Sequence, residues 1–296
     1  MINPTTYAFL CQMLKERSGL ILSGDKQYLI ESRLMPVARR HGAGSLEELV
    51  NVARSPAGEK VRVDITEAMT TNESFFYRDK TPFENFEKLM LPELLKARAN
   101  QRRLRIWCSA ASTGQEPYSL AMCLKEQAAL IAGWRIEIIG TDISLEVLEK
   151  AKIGMYSQFE VQRGLPIQLL VKYFKQVGDM WQIDPAIRAM VQYRPLNLLQ
   201  DFSSLGTFDI VFCRNVLIYF EQQTKSDVLN RIAKVMTPDG YLVLGAAETV
   251  IGLTDQYRSI EGYRGLYAPA GKDKAGGVRP AGLVRPAVSA GAKGAA

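Results

Sequence analysis

The chain has 296 residues, of which 47% are hydrophobic and 23% charged, with a formal net charge of +6. This is room for two modest domains, or one large one with additions, of an ordinary soluble globular protein, and no apolar stretch approaches the roughly 18 residues that span a bilayer. Four widely spaced cysteines (Cys11, Cys108, Cys123, Cys213) and a single histidine, His41, argue against a disulfide framework, a structural zinc site and histidine-based triad chemistry.

Taken in chain order, the start "MINPTTYAFLCQML" has neither a basic n-region nor a small-residue cleavage site. No signal peptide is expected, and the reduced, mostly buried cysteines suit a cytoplasmic protein. Residues 1–70 are predicted to form a small all-helical domain. Leu10, Met13 and Leu14, then Leu29, Ile30, Leu34 and Val37, recur at helical spacing, and no run alternates like a strand. In "SGDKQYLIESRLMPVARRHG", Lys26, Arg33 and Arg40 stand seven residues apart on one stripe, with Arg39 beside it. The stripe is either a solvated helix face or a docking surface for an acidic partner helix; Pro36 weakens the case for one continuous stripe. His41, followed by Gly42, is expected to close this helix at the surface. Residues 71–98 read as a linker that opens with "TNESFFYRD", an aromatic cluster among polar residues.

From residue 99 to 268 the pattern changes. The apolar runs "LRIWCSA", "IEIIGTD", "FDIVFCRN" and "GYLVLGAAE" alternate with helical stretches beginning near Glu116, Leu145 and Gln222. Alternation of this kind predicts a parallel sheet covered by helices on both faces, an α/β fold. "TPDG" ahead of the fourth run reads as a turn, and "YRSIEGYRGLYAP" as a closing antiparallel pair. From Pro269 onward the chain is Gly, Ala and Pro with basic residues, and 269–296 is expected to be a disordered tail. That tail holds +4 of the net charge, which leaves +2 for the rest and makes a nucleic-acid partner a poor expectation.

Three strand ends carry candidate chemistry. After the first strand, "SAASTGQEP" resembles the strand–loop–helix layout of nucleotide sites. It has one glycine in place of G-x-G-x-x-G, however, and Glu116 would repel phosphate. A cation fits better there, such as the ammonium end of S-adenosylmethionine; the alternative is an ordinary first-turn acid favoured by the helix dipole. Asp142, at the tip of the next strand, is placed to hold two ribose hydroxyls, to cap the helix of "ISLEVLEKA", or to do both. It lies 28 residues beyond Gly114, against a usual spacing of about 20. The third strand ends in Arg214 and Asn215, with Tyr219 about one helical turn later. The (Asp/Asn)-Pro-Pro-aromatic tetrapeptide of DNA amino-methyltransferases is missing, and Cys213 reads as core.

Together "TNESFFYRD", "WCSAASTGQEPYSLAM", "GTDIS", "PLNLL", "FCRNVLIYF" and "GYLVLGAAE", in that order over residues 71 to 249, resemble the CheR family of chemotaxis receptor methyltransferases. The resemblance implies a Rossmann-like class I SAM-dependent methyltransferase sheet, a small all-helical N-terminal domain, and a small β-subdomain at about 155–195. It implies transfer of a methyl group from S-adenosylmethionine to glutamate carboxylates of methyl-accepting chemoreceptor cytoplasmic helices, with no metal and S-adenosylhomocysteine as product. By the same resemblance Asn72, Ser74, Arg78, Glu116, Asp142, Asn197, Leu198, Arg214 and Asn215 are the cofactor contacts. Arg78 and Tyr219 act at the methyl-transfer centre, and Ser74 stands where many members have threonine. The basic stripe of Lys26, Arg33, Arg39 and Arg40 becomes a receptor-binding surface. The stretch "LLVKYFKQVGDMWQIDPAIRAMVQY" has one glycine, so no loop for a receptor's C-terminal pentapeptide is expected. A monomer suffices. The competing reading is a non-catalytic signalling module that binds S-adenosylmethionine or S-adenosylhomocysteine.

Overall fold

In the computed structural model, which describes residues 2–22, 24 and 27–271, the first seventy residues form four helices. Helix α1 (Pro4–Ser18) starts with Asn3 accepting from the Thr5 amide and with proline in its first turn, and it stops at Gly19, φ 77°. Helices α2 (Gln27–Arg40), α3 (Leu46–Arg54) and α4 (Glu59–Met69) follow. Leu10, Leu14, Ile30, Leu34, Leu49 and Ile65 pack between them with no exposed surface, which is the helical spacing made solid. Lys26 lies outside the described residues. His41 follows directly on α2, as expected, but its ring is largely turned away from solvent. Its Nε2 stands 2.7 Å from Asp64 Oδ2, half-buried, and joins the end of α2 to α4.

The segment read as a linker divides in two. Residues 71–80 are loop, whereas 81–97 are helical throughout: α5 (Thr81–Asn85), a π-turn (Phe86–Met90) and α6 (Leu91–Ala97). Phe83, Phe86, Met90, Leu91 and Leu94 are buried against Phe212 and the rest of the main core, so this half belongs to the α/β body.

That body alternates as expected. Strand β1 (Arg103–Cys108) leads to α7 (Gln115–Glu126), β2 (Arg135–Asp142) and α8 (Leu145–Ile153). A small three-stranded sheet of β3 (Met155–Ser157), β4 (Phe174–Val177) and β5 (Met180–Ile183) carries α9 (Gln158–Gln162) and α10 (Ile167–Tyr173), with α11 (Pro185–Arg188) after it. Strand β6 (Val191–Pro195) then pairs parallel with β2. The "VQY" end of the β-subdomain range is therefore an edge of the main sheet, made where β2 had a free side. Strands β7 (Phe208–Cys213) and β8 (Met236–Leu244) flank α12 (Gln222–Lys234), and β9 (Tyr257–Ser259) and β10 (Leu266–Pro269) close the sheet.

The order is β6-β2-β1-β7-β8-β10-β9. The pairings from β6 to β8 are parallel, and β10 runs antiparallel to both its neighbours. Strand order reverses between β1 and β7, which opens a crevice at the carboxyl ends of the strands. "TPDG" is not a free turn: it is the bulged start of β8, where a Cβ on Gly240 would stand 2.7 Å from the Asp209 carbonyl oxygen. Pro269 closes β10, and residues 272–296 of the expected tail lie outside the described residues. Among the described residues no helix is long and apolar enough to cross a membrane.

Candidate active site

A cleft enclosing about 930 Å³, its open mouth included, sits at the crevice between β1 and β7. Asn72, Ser74, Arg78, Glu116, Asp142, Asn197, Leu198, Arg214, Asn215 and Tyr219 all line it. They come from the 71–80 loop, from the ends of β1, β2, β6 and β7, and from the turn after β7, so closing the sheet is what assembles them.

Gly114 starts α7 at φ 94°, and a Cβ there would lie 2.6 Å from the Tyr193 hydroxyl; only glycine lets the loop turn this tightly. Glu116 follows, 8% exposed, and its Oε2 accepts from Arg214 Nη1 at 2.7 Å. Burial pushes the Glu116 carboxyl above its ordinary value, and Arg214 works against that rise. The cation answering Glu116 within the chain is thus an arginine. Arg214 also donates through Nη2 to the Arg78 carbonyl (2.9 Å) and to Asp79 Oδ2 (2.7 Å).

Asp142 spends one oxygen on the Ser112 amide (2.8 Å) and the other on the Ser144 amide (3.1 Å). The cap of α8 is Ser144, which accepts from Val147, so of the two roles open to Asp142 capping falls to its neighbour. Burial raises the Asp142 carboxyl and the amides pull it back. Each carboxylate oxygen has a further lone pair, which leaves capacity for hydroxyl donors. The Asn197 amide is committed: it donates to the Arg17 carbonyl at 2.6 Å and accepts from Leu199. It ties the end of α1 to the α/β body.

The helical domain therefore forms part of the cleft. Ser18 and Leu20 line it, and the Ile21 amide donates to the Tyr219 carbonyl at 3.0 Å. Tyr219 lies on a 3₁₀ turn (Leu217–Tyr219) and packs on both domains. Arg33 does not stand free on a stripe: its Nη1 donates to the Met69 (2.9 Å) and Thr70 (3.2 Å) carbonyls at the end of α4. Arg33 and Arg40 border a second groove that shares Asn72 and Ser74 with the cleft, and Arg39 and Arg40 are exposed.

Backbone strain gathers here. Six described non-glycine residues have positive φ, and five of them (Tyr77, Asp79, Lys80, Ser112, Asn215) lie in or beside the cleft walls. Asn215, at φ 57°, is held by a residue that sequence reading missed. Glu248 accepts from the amides of Gly245 (2.7 Å), Asn215 (2.8 Å), Val216 (3.0 Å) and Leu217 (2.8 Å). The acid stands in the quoted "GYLVLGAAE", but its task appears only once β7 and β8 lie side by side.

The donor set matches a nucleoside joined to an amino acid. Asp142 offers acceptors for hydroxyls, and Glu116 and Arg214 offer both charges to an ammonium and a carboxylate. Arg214 Nε and Ser109 Oγ are buried with no partner in the chain.

Comparison with known proteins agrees with this architecture. Residues 72–266 match the family profile described as the CheR methyltransferase SAM binding domain, and residues 5–70 match the CheR methyltransferase all-alpha domain. The chain is 44% identical over 254 residues to Chemotaxis protein methyltransferase 1 of Pseudomonas aeruginosa, covering 84% of this chain and 91% of that one. It is 38% identical over 262 residues to Chemotaxis protein methyltransferase 1 of Vibrio cholerae, covering 88% and 94%. Against the Chemotaxis protein methyltransferase of Salmonella typhimurium it is 32% identical over 270 residues, covering 90% of each.

Proposed function

The chain belongs to the CheR methyltransferase family, whose members are S-adenosylmethionine-dependent methyltransferases, and on that premise we propose that its acceptor is the side-chain carboxylate of glutamate on the cytoplasmic helices of chemoreceptors. The observation that carries this reading is that Arg78 and Tyr219 line one cleft, in a chain whose single histidine does not line it. A glutamate carboxylate is ionised at neutral pH and needs no general base.

S-adenosylmethionine would supply, when bound, an electrophilic methyl group on a sulfonium: a carboxylate oxygen would take the methyl carbon as its bond to sulfur breaks, leaving the neutral thioether. The chain's own work is positioning. Asp142 holds hydroxyls, Glu116 and Arg214 hold the amino-acid end, and the Asn215 turn shapes the wall between them. Arg78 and the Tyr219 hydroxyl orient the incoming carboxylate. Positioning of this kind is worth about 7–11 kcal/mol, enough to carry the reaction without proton transfer.

Arg39 and Arg40, with Arg33 held in place at the domain junction and Lys26 ahead of them, supply cations for an acidic helix. Strands β4 and β5 are joined by the two-residue turn Gly178–Asp179, which supports a reading without a receptor-tail tether. Micromolar binding of a receptor-tail peptide in calorimetry overturns that part alone.

The experiment is transfer of labelled methyl to a receptor cytoplasmic fragment, followed by mild alkali. Label released as methanol identifies a glutamyl ester. Tight S-adenosylhomocysteine binding with no label on any receptor of the same cell replaces the enzyme reading with a sensor.

A further inference from the structure

Two guanidinium groups approach the Phe75 ring. Arg78 Cζ is 5.4 Å from the ring centroid and Arg163 Cζ is 4.4 Å from it, both within cation–π range. Arg163 belongs to the β-subdomain, immediately after α9, and is not among the residues that line the cleft. Its Nη2 stands 2.5 Å from Glu73 Oε1, and Arg78 Nη1 donates to the Glu73 backbone carbonyl at 2.8 Å. Gly164 follows at φ 85°. A Cβ there would stand 2.1 Å from the Phe76 carbonyl oxygen, so the subdomain meets the 73–78 loop backbone against backbone.

These contacts form one unit. Glu73 neutralises Arg163, which lets a second cation share the same ring. Arg78 is a long flexible side chain with five donors. The carbonyl of Glu73 takes one of them, the Phe75 ring stands within cation–π range of the guanidinium, and the remaining donors are left for the cleft. Phe75 and Glu73 are in turn held by Arg163.

We propose that Arg163 is a positioning residue for methyl transfer: acting through Phe75 and Glu73 it sets the direction of the Arg78 guanidinium, and so couples the β-subdomain to the reacting carboxylate. The proposal rests on the role assigned to Arg78 above.

The test uses the full chain, a receptor fragment as acceptor, and four enzymes: wild type, Arg163→Gln, Arg78→Lys and the double variant. A guanidinium misplaced by ~1 Å costs up to about 100-fold. Arg163→Gln is therefore expected to lower kcat roughly tenfold, with KM for the receptor and Kd for S-adenosylhomocysteine within about twofold. In the Arg78→Lys background the same change is expected to cost nothing more, because the group it positions is already gone. Arg163→Lys, which keeps the ion pair with Glu73 and loses the flat stack, should recover part of the rate. An unchanged kcat in Arg163→Gln overturns the proposal, as does the same tenfold loss in both backgrounds. If Arg78→Lys alone keeps full activity, the role of Arg78 fails instead, and the two failures are told apart. Should Arg163→Gln not fold, Phe75→Leu gives the same expectation: loss of kcat in the wild-type background and none in Arg78→Lys.

Discussion

Strand β7 carries an arginine–carboxylate cluster at each end, and the two are built to opposite purposes. At its start, Asp209 joins Asp239 in clasping Arg98. All three guanidinium nitrogens donate, and Asp209 also accepts from the Arg105 amide. At its end, Arg214 is clasped by Glu116 and Asp79, but its Nε is buried without a partner and the surrounding backbone is strained. The carboxyls report the difference. The hydrogen bond from Arg98 holds Asp239 below its ordinary value, whereas burial lifts Glu116 above its own. A satisfied cluster stabilises the fold; an incompletely satisfied one holds capacity for a ligand.

The comparison breaks most visibly at the cleft. Arg214→Gln strands a buried Glu116. We expect a loss of about 3–5 kcal/mol in urea unfolding, together with a drop in methyl transfer of about 100-fold. Arg98→Gln is expected to cost about 3 kcal/mol in the same unfolding measurement, because Asp209 is buried; Asp239 adds less, being more exposed. The affinity of this variant for S-adenosylhomocysteine by calorimetry should match wild type. A fall in affinity as large as that of Arg214→Gln would erase the distinction between the two ends.

Glu248→Gln sharpens the picture of the rim. Each oxygen accepts from two amides and an amide nitrogen accepts from none, so two of the four backbone donors lose their partner, at about 1–3 kcal/mol each. The strained Asn215 turn should relax, with loss of kcat. An unchanged pH-independent kcat would show the clamp to be structural only.

Acid titration separates the ends further. Because the Asp239 pKa is lowered in the folded state, its contribution is complete above the unfolded value of 3.8 and is lost as pH falls through the lowered one. Glu116 has the opposite sign: its raised pKa favours the folded state at low pH, and that contribution is lost as pH rises through the raised value. Thermal unfolding from neutral pH downward should show the acid-side loss in wild type and a flatter limb in Arg98→Gln. The smallest effect is expected from Ser74→Thr, which keeps the hydroxyl: stability within about 0.5 kcal/mol and cofactor affinity unchanged by calorimetry.

The main strands, the helix starts near Glu116, Leu145 and Gln222, and the antiparallel end were legible because each rests on local periodicity or a local breaker. Strand β6 was not, since "VQYRP" is short and its partner β2 lies some fifty residues away. The helical half of 71–98 was hidden by the polar loop that opens it. At the site, motif residues could be read one by one, but Glu248 and Arg163 could not. Neither carries a local signature, and both act on backbone or rings brought near by the fold.

The order of residues by itself determined the α/β alternation, the glycine at 114 that the tight loop demands and the acids at two strand tips, because these depend on neighbours within a few positions. Tertiary structure alone decided that Arg214 answers Glu116, that Ser144 and not Asp142 caps α8, that Arg33 ties α2 to the end of α4, that Asn197 binds the two domains together, and that Glu248 holds Asn215. Each of these is a pairing between groups distant in the chain, and a hydrogen bond or ion pair has a definite partner only after burial has removed water as the alternative.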